Sequence, residues 1–226
     1  MAEKKFFTPK KILFLKAFLS IVGLLIIWIL VDFYGPWSAN LRKFNPVAIA
    51  QLETKMWRAY YDKKPAELYY LLVTMLREQN KLPFWQANLT AYYAAKAAFV
   101  FKEGKNRADY EKAIPYLQNY FASINHIGNM SSNTQELAKL ELEWWIVHRE
   151  RKTYGEQALV NAIAETSAKF YGVETNKLNS YAEARTKAML YRDNQQEAGK
   201  VTEDDWKAIE NDLTQAYTSL VTEINH

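Results

Sequence analysis

The chain has 226 residues, no cysteine, and a formal net charge of +4 from 29 basic and 25 acidic residues. The lack of cysteine excludes disulfide frameworks, thiol catalysis, Fe–S clusters and Cys-based zinc sites. Residues 1–16 hold Lys4, Lys5, Lys10, Lys11 and Lys16 against Glu3, so the excess charge lies there and the rest sums to zero, which argues against nucleic acid as a partner.

The first element is apolar. Residues Ile12 to Val31 read ILFLKAFLSIVGLLIIWILV. As a helix this run spans about 30 Å, the thickness of a hydrocarbon core. Lys16 lies one turn inside its start, where its stem can snorkel to the headgroups. Trp28, Phe33, Tyr34 and Trp37 gather at its end like an interfacial aromatic belt. A cleaved signal peptide needs a shorter core and a small-x-small site. Here Asp32-Phe33-Tyr34-Gly35-Pro36-Trp37 follows, which favours an uncleaved anchor. Five Lys lie at or before the start and only Arg42 and Lys43 just after the end, which predicts a cytoplasmic N-terminus. The predicted plan is a basic cytoplasmic tail (1–11), a transmembrane helix (12–34), a linker (35–45) and a soluble domain (46–226). That plan implies a single-pass protein of the cell inner membrane with a periplasmic domain and the lipid bilayer as a partner.

Helix punctuation recurs beyond residue 45. Asn45-Pro46 predicts a helix to about Asp62. Pro65 opens one to about Asn80, and Pro83 one that ends at Gly104. The next is expected from Arg107 to His126, bent at Pro115. Ser132, three residues before Gln135, predicts a capping box for a helix to Lys152. Glu156 to Tyr171, stopped by Gly172, and Asn176 to Asn194 are the next two. Thr202, with acidic residues in the first turn, opens the last, to Ile224. Gln195–Lys200 reads as a mobile loop. The periodicity is helical throughout: Ile49, Leu52, Met56 and Tyr60 share a stripe, as do Leu137, Leu140, Trp144 and Val147, and Leu159, Ile163 and Phe170. The expected fold class is all-α: one transmembrane helix plus about seven or eight helices packed as antiparallel hairpins, as a bundle or a tetratricopeptide-like stack.

Ala91 to Leu117, AYYAAKAAFVFKEGKNRADYEKAIPYL, resembles a tetratricopeptide helix pair, with Gly104 at the turn and Asp109 to Ile114 after it. It has about four extra residues between Gly104 and Ala113, and no second copy follows at a period of about 34 residues. The runs Leu52 to Tyr61, Glu141 to Trp145 and Tyr171-Gly172-Val173 are similar to an uncharacterised group of bacterial membrane-anchored helical proteins, over about residues 46–222. That likeness implies an envelope context and no activity.

Candidate site residues are polar groups placed on apolar stripes. Glu141, Trp144 and His148 fall at i, i+3 and i+7 in line with Leu137 and Leu140, and Glu143 lies beside them. Arg185 shares a face with Leu178, Ala182, Met189 and Arg192. Glu53 adjoins Ile49, Met56 and Tyr60, with Arg58 to one side. Charges on such stripes need partners. Glu53, Arg58, Glu141, Glu143, His148 and Arg185 are therefore candidates for a buried polar network or a ligand site, with a Glu141–Arg185 ion pair at its centre. The fold-specifying reading is salt bridging, and the functional one is a polar site in an aromatic pocket. The chain has three His and no Glu-x-x-His, so a di-iron bundle is not expected, and no metal or cofactor is assigned. Tyr60-Tyr61, Tyr69-Tyr70, Tyr92-Tyr93 and Trp144-Trp145 should each send one ring inward and one to the rim. No phosphate loop or nucleophile elbow occurs, so catalysis is not favoured. The sequence reading is a scaffold or interaction subunit of a bacterial envelope assembly with a protein partner. The alternative is a helical domain binding a metal or small ligand.

Overall fold

A computed structural model describes residues 9–226, so Lys4, Lys5 and most of the basic tail lie outside the described residues. Helix α1 runs Pro9–Tyr34, and its segment Lys10–Tyr34 is long and apolar enough to cross a membrane, with its most apolar stretch uncovered by the rest of the protein. The domain follows with α2 (Pro46–Tyr61), α3 (Pro65–Glu78), α4 (Phe84–Glu103), α5 (Arg107–Glu111), α6 (Ile114–Gly128), α7 (Thr134–Arg149), α8 (Arg151–Tyr154), α9 (Glu156–Tyr171), α10 (Asn179–Glu197) and α11 (Glu203–Glu223). A 3₁₀ turn, Thr175–Leu178, leads into α10. No strand occurs among the described residues, and the fold is all-α.

The long helices pack in chain order. Each of α2, α3, α4, α6, α7, α9 and α10 lies against the next, and α11 returns to α2, so the hairpins close into a ring. A tetratricopeptide array would leave them as an open stack. Between α9, α10 and α11 the core holds Leu159, Ile163, Leu178, Ala182 and Leu220, and between α4, α6 and α7 it holds Ala97, Leu117, Phe121, Leu137 and Leu142.

Local chemistry sets the helix ends. Asn45 caps α2 by accepting from the Val47 and Ala48 amides. Thr202 and Asp205 form a capping box on α11. Gly172, at φ 64°, ends α9 in the left-handed conformation that glycine adopts without strain.

Four expectations change. The helix expected from Arg107 to His126 is two, because Pro115 offers no N–H to the Glu111 carbonyl and its ring clashes there, so α5 stops and α6 starts afresh. The cap of α7 is Asn133, whose side chain accepts from Gln135 and Glu136, so the capping box from Ser132 does not form. The helix expected to reach Lys152 breaks at Glu150. Residues 195–197 belong to α10, held where Gln195 bonds Tyr191 and Asp205 and Glu197 pairs with Arg151 at 2.9 Å.

The linker is packed rather than free. Leu41 is buried, and the Ala39 amide donates to the Ile127 carbonyl. Arg42 donates to the Tyr171 and Ile224 carbonyls, closing the C-terminal ends of α9 and α11. Helix α1 is tied in as well. The N-terminus of α4 has no capping side chain of its own, and Asp32 of α1 supplies one, accepting from the Trp85 and Gln86 amides at 3.0 Å each. Trp28 stacks on Phe84 with centroids 5.4 Å apart.

Candidate functional site

Inside the ring lies a cavity of about 290 Å³. Six helices wall it, each with one helical stripe. The stripe of α2 is Glu53, Met56, Trp57, Tyr60 and Tyr61, and that of α7 is Glu141, Trp144, Trp145 and His148. Arg185 and Met189 come from α10, Leu117 and Tyr120 from α6, and Leu68 and Leu72 from α3. Helix α4 contributes Ala94, Ala98 and Phe101. The two alanines leave room that larger side chains would fill.

At one end Arg185 grips Glu53 with two hydrogen bonds, of 2.9 and 2.5 Å. Tyr217 completes the group: Arg185 donates to its hydroxyl at 2.8 Å, and that hydroxyl donates to Glu53. Burial works against the guanidinium charge, and Glu53 together with the Tyr181 and Tyr217 hydroxyls outweighs it, holding the Arg185 pKa above its ordinary value. Rings of Trp57 and Trp144 face the same guanidinium, with centroids 6.0 and 5.8 Å from its Cζ.

At the other end His148 Nε2 lies 3.0 Å from Asp193, which also takes Arg192 at 3.0 Å and Arg151 at 3.4 Å. Burial opposes ionisation of Asp193, and His148, Arg192 and Arg151 reverse that, so its pKa is lowered. Tyr61, under the Arg192 guanidinium, has its hydroxyl pushed up to about 12, chiefly by burial.

Glu141 stands between these groups with no ion pair among the described residues. Trp145 Nε1 donates to it at 3.1 Å, and the Trp144 indole faces it as well. Burial raises its carboxyl pKa, against the pull of the Trp144 and Trp145 indoles and of Arg185.

Of the six candidates, Glu53, Glu141, His148 and Arg185 meet at this cavity. The other two do not. Arg58 pairs with Glu203 at 2.5 Å on the surface, and Glu143 with Arg107 at 2.6 Å. The Glu141–Arg185 ion pair does not form, because Glu53 takes both terminal nitrogens of the guanidinium and leaves Glu141 with indole donors. Two of the four doublets differ from expectation, since both rings of Tyr60-Tyr61 and both of Trp144-Trp145 line the cavity, while Tyr70 and Tyr92 stand exposed beside less exposed partners. Sequence reasoning missed Tyr217 and Asp193. Tyr217 continues the α11 stripe of Leu213 and Leu220, and Asp193 lies two turns beyond Arg185, so their periodicity was legible although their partners were not.

No group of three or more His, Cys, Asp or Glu placed to hold a metal ion occurs among the described residues. What the arrangement offers is a mostly aromatic chamber with one unpaired carboxylate, suited to reversible binding. Comparison with family models, curated proteins and solved structures finds no match, so the functional reading rests on this geometry.

Proposed function

We propose that this chain is a membrane-anchored domain that binds a small organic ligand inside its helical ring. One observation carries the reading: an aromatic cavity of about 290 Å³ that keeps an unpaired carboxylate, Glu141, on its wall. A site kept only for stability would pair or replace such a group, since an uncompensated buried charge is costly. Aromatic walls with few convergent polar groups are the usual make-up of ligand pockets. In this reading α1 lies in a bacterial inner membrane, its Lys-rich flank cytoplasmic and the domain periplasmic.

The test is saturable binding to the full chain in lipid nanodiscs, read by the emission of Trp57, Trp144 and Trp145. Phenyl compounds carrying an ammonium, hydroxyl or carboxyl group serve as probes. At least one is expected to bind, and Ala98→Phe, or the milder Ala94→Leu, should abolish that binding while helicity persists. No saturable binding by any probe would sink the proposal.

The scaffold reading has its own support in Tyr70, Leu89 and Tyr92, which stand exposed on α3 and α4. A protein partner seated there would protect these residues from surface labelling, while the cavity variants would leave its binding unchanged.

A further inference from the structure

One carboxylate on the cavity wall has no ion pair among the described residues. Arg185 is matched by Glu53, and His148 by Asp193, which also serves Arg192 and Arg151. Glu141 has no ion pair among the described residues and is faced only by the indoles of Trp144 and Trp145. We propose that the ligand is a small organic cation, a protonated amine whose charged end meets Glu141 and whose apolar body lies against the rings of Trp57, Tyr60, Trp144 and Trp145. This rests on the ligand-binding reading above and names the chemical class of its ligand.

Four observations support the assignment. Aromatic faces attract cations, and this wall already holds one, with Trp57 and Trp144 about the Arg185 guanidinium at 6.0 and 5.8 Å. An anion fits poorly, since Glu53 occupies both terminal nitrogens of Arg185 and Glu141 would repel it. The space suits a small molecule: at about 30 Å³ per water-sized group, about ten such groups fill it. Burial raises the Glu141 pKa, so its charge is costly while the cavity holds no counter-ion, and an incoming cation supplies the missing partner.

The probes are phenethylammonium, 2-phenylethanol and phenylacetate, titrated into the full chain in nanodiscs of zwitterionic lipid. Phenethylammonium is expected to bind roughly tenfold or more tightly than the alcohol, and phenylacetate most weakly. Glu141→Gln keeps the acceptor for Trp145 and removes the charge. It should erase the preference for the cation, weakening phenethylammonium roughly tenfold, while the melting temperature stays level or rises. Tightest binding of phenylacetate would overturn the proposal, as would equal binding of the alcohol or a preference that survives in Glu141→Gln. In those cases the cavity still binds ligands and only the assignment to a cation falls. If no probe binds, both readings fall together.

Discussion

At the residue scale, the Glu53–Arg185 pair shows how charge is kept inside an apolar ring. Each lies on its helix's inward stripe, where an isolated charge would cost several kcal/mol. A two-pronged contact closed by Tyr217 satisfies most of their hydrogen-bonding capacity and leaves little unpaired. Arg185→Ala is expected to lower stability by about 3–5 kcal/mol, because it strands Glu53. Glu53→Leu combined with Arg185→Met should recover much of that. Denaturant titration of the full chain in mild detergent checks both, and a loss below about 1 kcal/mol in the single variant would mean the pair is no more than a surface-type contact. The inward position of Arg185 is legible in the sequence, from its spacing to Ala182 and Met189. Its choice of Glu53 over Glu141 is not, because both carboxylates sit on apolar stripes and only the rotation of α2 and α7 about their axes decides between them.

At the element scale, helices borrow their caps from distant parts of the chain. Arg149 donates to the Phe101, Lys102 and Gly104 carbonyls at the end of α4, and Arg42 does the same for α9 and α11. Asp32 ties α1 to the domain. A carboxylate in the last turn of its own helix is poorly placed, yet it meets the N-terminal amides of α4, where negative charge is favoured. Asp32→Ala should cost about 1 kcal/mol, as the loss of an N-cap does. Hydrogen exchange checks it: the Trp85 and Gln86 amides should exchange faster, while those at the core of α10 do not change. Equal exchange at Trp85 and Gln86 would show that Asp32 does not act as the cap. Because α4 also carries Ala94, Ala98 and Phe101 on the cavity wall, α1 and the cavity meet on one helix.

At the scale of the whole molecule, ring closure explains the cavity. Each long helix has its nearest neighbours beside it around the ring, so helices on opposite sides are too far apart for direct backbone packing. The centre is bridged by the largest side chains, Trp57, Tyr120, Trp144, Trp145 and Arg185, and the alanines of α4 leave part of it open. Topology is the remaining property at this scale. Arg42 and Lys43 after α1 are outnumbered by the basic flank before it. Protease added to spheroplasts should therefore digest the domain, with detergent needed only to reach the N-terminal tail. A domain protected until lysis would reverse the orientation, and release by alkaline carbonate would remove α1 from the membrane altogether.

The sequence by itself determined the apolar helix, the all-α class and most helix starts, because caps, prolines and the 3.6-residue stripe act within a few residues of one another. It also placed Glu53, Glu141, His148 and Arg185 on inward faces, since periodicity alone reports which side of a helix is dry. Tertiary structure decided the rest. The closure of α11 on α2, the cap that Asp32 lends to α4, and the pairing of Arg185 with Glu53 join residues 54, 132 or more positions apart. No local signal spans such separations. They are settled when helices choose their rotation and neighbours together, and that choice left Glu141 alone beside an open space.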